Sequence, residues 1–555
     1  MPRVRRAKAR SLLALLGIAL PAAVLISCTS PSSQTNMQVR PHVPSAGETR
    51  AEIHLNGAKR YGMPELYAFL KPFPKGADLH MHLSGAVYAE TFIAEAIRQG
   101  LCVTSVDAGK PASPIGNDAV QFTSPSSGTT CGKGTVPAAT VLTNQALYDN
   151  LIDSFSMRAY VPMEGINGHD QFFSTFARFG GLKNVMGEWL DEVANRAATQ
   201  NEQYLEIMQT PSFSNASRLG SQIGWPTGSE KNVSAQTLAA VRTKLLAAGL
   251  RDEVAVDEKE FADAKAERDS MEHCAGGPRS AACNVQIHFL YQVLRGFPPQ
   301  QVFAQTLLGF EVATADHDVV GINFVMPEDG RTSMRDYHLQ MQMLDYLHSV
   351  YPGVHISLHA GELAPGLVPP EGLAFHIREA VELGHAERIG HGVDVLYEDR
   401  AMDLLREMAA RHVDVEVNLT SNDGILGIKG GDHPLPAYMA YHVPFSLSTD
   451  DEGVSRIDLT HEYARAVEEQ DLTYVDLKHS ARDSVEHSFL PGESLWVWPD
   501  NYDHLKSPCD ATIGADSKPS DSCRQFLQTN EKAAQEWELE RRFAVFEANI
   551  RDPRF

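Results

Sequence analysis

Between residues 76 and 449 the chain carries eight apolar runs of strand length. They are GADLHMHL (76–83), QYLEIMQ (203–209), VQIHFLYQVL (285–294), VVGINFVM (319–326), HISLHAG (355–361), RIGHGVDV (388–395), DVEVNLT (414–420) and FSLST (445–449). Helical patterns such as 334–349 and 372–383 separate them. Eight strands alternating with helices point to an α/β protein, a (β/α)8 TIM barrel, in which reactive side chains sit at the C-terminal ends of the strands. Four of the runs end on polar motifs: HMH at 80–82, HAGE at 359–362, RIGHG at 388–392 and STDD at 448–451. One end of such a barrel would therefore gather several imidazoles and carboxylates.

His80 and His82, two residues apart on a strand, leave the same face and can offer two nitrogens to one ion. His359 from the fifth strand and Asp450 from the eighth complete a His3Asp set suited to one Zn2+ with a position open for water. Such an ion lowers the pKa of a bound water toward about 7. Glu362, three residues beyond His359, stands where a general acid can reach a substrate without binding the metal. His391 closes the sixth strand and can hold the attacking hydroxide, with Gly390 and Gly392 letting the backbone crowd the pocket. Asp451 is placed to accept a hydrogen bond from substrate. The fourth strand has no Lys to bridge two ions, which favours a mononuclear site. His288, His355, His376, His385 and His412 read as structural or surface residues.

With 555 residues the chain is long for one barrel and leaves room for insertions, expected near 101–140 and 211–283, and for a C-terminal helical extension. Basic residues precede the apolar stretch LLALLGIALPAAVLI (12–26), so residues 1–27 read as a signal peptide. Its end, Leu25-Ile26-Ser27-Cys28, resembles a bacterial lipobox, which implies lipidation at Cys28 and an exported, lipid-anchored protein of a Gram-negative outer membrane. Residues 28–50 read as a flexible tether, 51–500 as the barrel, and 501–555 as a stapled loop and C-terminal helix near 528–549. Six further cysteines fall as local couples, Cys102 with Cys131, Cys274 with Cys283 and Cys509 with Cys523, read as structural disulfides. A net charge of −23 repels nucleic-acid backbones and disfavours phosphorylated substrates. The expected partner is a small neutral molecule, and membrane contact is expected only through the lipid anchor.

The motifs HMHLSG, HAGE, RIGHG, the SN of LTSN (419–422) and STDD together resemble the adenosine deaminase family of the amidohydrolase superfamily, from about residue 74 to 490. The exported form and the long N-terminal portion look like its secreted, growth-factor-type branch. The resemblance implies hydrolytic deamination of adenosine or 2′-deoxyadenosine at C6. It also implies His80, His82, His359 and Asp450 as zinc ligands, Glu362 as the N1 proton donor, His391 orienting hydroxide and Asp451 meeting N7. Ser84 stands where the family has an Asp that meets ribose. Met326-Pro327-Glu328 stands where a Gly usually gives an N–H to N3, and Pro327 has none. Asn418 stands where a Cys is common. These departures keep two alternatives open: deamination of another purine or amino-heterocycle, and a surface-binding lipoprotein without catalysis.

Overall fold

The computed structural model describes residues 42–104, 120–128, 130–158, 167–183, 185–276 and 278–550. The signal peptide, Cys28 and most of the tether lie outside these residues. Eight parallel strands follow one another in chain order around a single sheet: β1 (Gly76–His82), β2 (Glu202–Gln209), β3 (Gln286–Leu294), β4 (Val319–Val325), β5 (His355–Ala360), β6 (Arg388–His391), β7 (Asp414–Val417) and β8 (Phe445–Leu447). Each neighbouring pair is parallel. The strands are buried almost throughout, as parallel strands covered on both faces require.

The ring closes where the site motifs meet. Asp450 N donates to His80 O at 2.8 Å, His82 N donates to Asp450 O at 3.1 Å, and Met81 bridges Asp450 in parallel sense. Inside the barrel, below the motifs, Arg388 pairs with Glu206 at 2.7 Å and Glu416 at 2.6 Å and lies over the Phe489 ring. This buried charge is tolerable because two carboxylates oppose it, one of them hydrogen-bonded, and the His487 carbonyl accepts a further N–H at 3.0 Å.

All eight expected strands are present; β6 and β7 end three or more residues early, and the other ends fall within two residues of expectation. β6 stops at His391, whose φ of +70° turns the chain out of extended geometry. β7 stops at Val417 because Leu419–Leu426 is a helix, bringing Ser421 and Asn422 over the barrel mouth. The tether does not reach residue 50: a helix spans Ala46–Tyr61, started by a capping box between Ser45 and Glu48. The expected 372–383 helix divides into a 3-10 turn, Pro370–Leu373, and the helix His376–Glu382. At the C-terminus the long helix is Glu531–Asn549, broken at Asn530 from a shorter one, Asp521–Thr529.

All three cysteine couples form disulfides. Cys102–Cys131 ties a three-stranded antiparallel sheet within the first insertion. That sheet shares an apolar core (Phe92, Val103, Phe122, Phe155) with Phe172 of the helix Gly168–Arg178. Among the described residues, no helix is long and apolar enough to cross a membrane.

Candidate metal centre and substrate pocket

Three imidazoles converge nitrogen to nitrogen. His359 Nε2 lies 3.1 Å from His80 Nε2 and 3.1 Å from His82 Nε2. Asp450 Oδ1 is 3.5 Å from the first and 3.3 Å from the second. The other nitrogen of each ring is held from behind: His80 Nδ1 by Glu416 Oε2 at 2.6 Å, His82 Nδ1 by Gln292 Oε1 at 2.6 Å and His359 Nδ1 by Asn323 Oδ1 at 2.9 Å. Asn323 has its amide nitrogen on the Ser357 carbonyl, so its oxygen must face His359. Each Nδ1 therefore carries a proton, and the Nε2 lone pairs are directed at one another. Three lone pairs 3 Å apart repel unless positive charge stands between them.

The electrostatics agree. Burial, then the neighbouring His80, His82 and His391, push His359 far below its ordinary value, so that ring is neutral. Burial would also lower His80, but Asp450 and Glu416 overcome it and hold that imidazole up at about 10, so that without an ion a proton on its Nε2 supplies the positive charge the cluster needs, and a bound metal would displace it. Despite its burial, Asp450 is held well below the usual carboxylate range by His80 and His82. The cluster thus attracts a cation, and its donor set of imidazole nitrogens and one carboxylate fits a divalent transition metal. Asn323 occupies the β4 position behind His359, and no lysine approaches from that strand.

The other expected residues surround this cluster. Glu362 is buried, with its Oε1 3.9 Å from His391 Nε2, and His391 Nε2 is 4.0 Å from Asp450 Oδ2. Burial first, then the charges of Asp450 and Glu328, push the Glu362 carboxyl well up, toward the protonated form a general acid needs. Burial, Asp450 and Glu362 raise Asp451 likewise, and its Oδ1 is buried without a partner. Ser84 lines the same cavity, as do Met326 and Pro327. Met326 has a φ of +99°, backbone that favours glycine. Asn418 caps no helix with its side chain and donates weakly to Glu416 O at 3.4 Å.

Several contributors were not singled out from the sequence. Glu416, Gln292 and Asn323 orient the imidazoles from strand interiors, where a polar residue in an apolar run was the available signal. Ser421, of the SN pair already noted in the sequence, donates to Asp450 Oδ2 at 2.6 Å, and the Glu328 carboxylate accepts from the backbone N–H groups of Gly361 (3.1 Å) and Glu362 (2.8 Å). Gly85 is required by contact: a β-carbon there would lie 1.4 Å from Asp451 Oδ1. The expectation for Gly390 holds for a specific reason, since its β-carbon would meet the His80 ring at 2.4 Å.

The cavity over the cluster has a volume of about 620 Å3. Its outer wall is Phe172, Phe173, Phe176, Trp189, Phe213 and Leu294, and among the described residues none that lines it is Lys or Arg. Among the described residues, the first insertion contributes no lining residue and the second only Phe213; three of the wall's aromatic rings come from the helix at 168–178, which the first insertion supports from behind.

Comparison with known proteins follows this geometry. The family model described as "Adenosine deaminase" matches residues 188–495. Adenosine deaminase of Escherichia coli (strain SE11) is 38% identical over 143 residues, 25% of this chain. The chain spans 39% of the length of that curated relative. Among solved structures, adenine deaminase from Arthrobacter aurescens covers 75% of the chain, and the chain covers 94% of it, at 17% identity and a TM-score of 0.42. An arabidopsis N6-mAMP deaminase covers 76%, with 96% of its own length matched, at 18% identity and a TM-score of 0.47.

Proposed function

Because this chain belongs to the adenosine deaminase family, we propose that it is a zinc-dependent aminohydrolase that converts adenosine or 2′-deoxyadenosine to the corresponding inosine and ammonia. The observation that carries this reading is the convergence of three Nε2 atoms and Asp450 on one point, beside a buried Glu362 whose carboxyl is pushed well up. His80, His82, His359 and Asp450 would hold the ion. When bound, zinc supplies hydroxide at neutral pH by acidifying water.

The remaining chemistry belongs to the side chains. Glu362 gives its proton to N1 of the purine, which makes C6 electrophilic. Water adds to C6; of its two protons one passes to the exocyclic nitrogen and the other restores Glu362, and ammonia leaves from the tetrahedral carbon. His391, from its place between Glu362 and Asp450, orients the attacking oxygen. The free Oδ1 of Asp451, raised toward its protonated form, meets N7. The aromatic wall closes over the base and excludes bulk water, which strengthens each of these contacts. A lining without Lys or Arg suits an uncharged nucleoside rather than a nucleotide, and Ser84 meets the sugar without charge.

The deciding experiment is ammonia release from adenosine by the full-length, zinc-loaded chain beside the Glu362→Gln variant. Release by the first and not by the second supports the reading. No release by the folded, zinc-loaded chain overturns the adenosine assignment, and Ser84 and Met326-Pro327 then direct a screen of other purines and amino-heterocycles. We further propose export and lipidation at Cys28. Radiolabelled palmitate incorporated by the native chain and lost in Cys28→Ser supports that, whereas equal labelling overturns it.

A further inference from the structure

His391 differs from the other three imidazoles of the cluster in what stands behind it. Its Nδ1 lies 3.0 Å from the position of Asn422 Oδ1, and the Asn422 Nδ2 position lies 2.9 Å from His433 Nε2, an orientation that the bonding of His433 reverses. His433 in turn takes the backbone N–H of Leu435 on its Nδ1 at 3.1 Å. Leu435 is the first residue of the buried-sided helix Leu435–Ala440, and that N–H has no other acceptor among the described bonds.

The two ends of an amide have the same shape, so which end faces which ring follows from the network. Leu435 N–H is an obligate donor, so His433 Nδ1 must be bare. A neutral imidazole then carries its one proton on Nε2. His433 is neutral, because burial, then Arg465 and His391, push it down to about 3. Its Nε2–H needs an acceptor, and only the Asn422 oxygen meets it. The Asn422 nitrogen is left to donate to His391 Nδ1, which puts the His391 proton on Nε2. The opposite orientation would require His433 to accept at both nitrogens, as no neutral imidazole can.

From this chain of bonds we infer that His433, acting through Asn422, fixes His391 as the Nε2–H tautomer, a hydrogen-bond donor into the pocket and not a metal ligand or a base. The surroundings of Nε2 agree: it is buried without a partner, 3.9 Å from Glu362 Oε1 and 4.0 Å from Asp450 Oδ2. A lone pair there would face the ionised Asp450 carboxylate, whereas an N–H is attracted by it. The contrast with His359 is instructive. There the Asn323 nitrogen is spent on a carbonyl, so the same residue type forces the opposite tautomer. His433 is thus a positioning residue for the proposed reaction, and only the kinetic arm of its test rests on that reading.

The test combines nitrogen NMR of the full-length chain labelled with 15N-histidine and two isosteric variants. The His391 signals are identified by their absence from the His391→Gln spectrum. In the native chain we expect His391 protonated on Nε2 and bare on Nδ1, and the reverse result overturns the inference outright. Gln at 433 places an amide N–H where the ring has Nε2–H, while Asn replaces only the Nδ1 acceptor that caps Leu435. His433→Gln should therefore keep the His391 tautomer and kcat. His433→Asn should lose the tautomer preference and drop kcat about 10- to 100-fold with KM and zinc content unchanged. The opposite ranking, Asn active and Gln impaired, would reduce His433 to a helix cap and overturn the proposal. If neither variant folds, the native spectrum decides alone. If the chain deaminates no purine, the proposed function fails while the tautomer still stands or falls on that spectrum.

Discussion

Two clusters of histidine and aspartate, one buried and one partly exposed, sit at opposite ends of the barrel strands, and they solve opposite problems. At the C-terminal end, His80, His82 and His359 turn three Nε2 atoms toward one point, with their protons held behind them by Glu416, Gln292 and Asn323. At the N-terminal end of β7 and β8, Asp500 accepts from His487 Nε2 at 2.6 Å and from His412 Nδ1 at 2.6 Å, while Asp483 takes the Tyr502 hydroxyl and the Phe445 N–H. In that lower cluster each of these donors meets a carboxylate oxygen. In the upper cluster three ring nitrogens and one carboxylate oxygen face a common point. Similar residue types form an ion pair in one place and a metal-seeking centre in the other, and the side-chain partners behind the rings make the difference.

That contrast breaks most visibly on removing the cation or its ligands. His359→Ala should lower purine deamination about 1000-fold or more, equivalent to several kcal/mol of lost stabilisation. Chelation of the native chain should do the same, and activity should return with added zinc. Steady-state ammonia release checks both; a chelated chain that keeps full activity would show the upper cluster to be no metal centre.

Glu416 links the two ends, because it pairs with Arg388 below and His80 above. Burial alone would raise this carboxyl, but Arg388 and His80 pull it down to about 2, so it stays ionised. Glu416→Ala leaves Arg388 short of a partner in the barrel interior and should cost about 3–5 kcal/mol of stability, measured by denaturant unfolding.

The lower cluster has its own pH signature. Burial lowers His487, but the Asp500 hydrogen bond and the charges of Asp500, Asp414 and Asp483 outweigh it and raise the ring to about 9. A group raised above its unfolded value near 6.5 stabilises fully below that pH and loses its contribution as pH climbs through the folded value. Melting temperature should therefore fall between pH 6.5 and 9.5, by at most about 3 kcal/mol of stability. The slope should flatten in His487→Gln. An equally steep slope in the variant would assign the effect elsewhere.

The smallest expected effect tests the rear supports. Asn323→Ala frees the His359 ring and should weaken zinc affinity about 10- to 100-fold while leaving the eight strands intact. Competition with a metal-binding dye measures it, and an unchanged affinity would show that packing alone orients the ring.

Much of the barrel is legible in residues 76–449 because parallel strands buried on both faces must be written as continuous apolar runs. The same economy exposes the site: His80, His82, His359, His391, Asp450 and Asp451 stand out because they end such runs. The helix at 168–178 was not legible as a pocket wall, since Phe172, Phe173 and Phe176 look like any apolar helix face until β2 and β3 are placed beside them. Glu416 and Asn323 were equally silent, because a lone polar residue within a strand says nothing about which ring it will meet. The boundary at Ser45 was readable in principle from its Ser-x-x-Glu capping box, outweighed by the polar Ser- and Pro-rich composition around it.

The sequence by itself determined the periodicity, the strand ends and the chemical types that gather there, because those follow from local alternation and from the spacing of residues along one strand. Only the tertiary structure decided which nitrogen of each histidine is bare. That depends on hydrogen-bond partners drawn from distant strands and helices, Glu416 for His80, Asn323 for His359 and Asn422 for His391. A proton on an imidazole is placed by the neighbour it can reach, and in this chain those neighbours lie between 31 and 336 residues away.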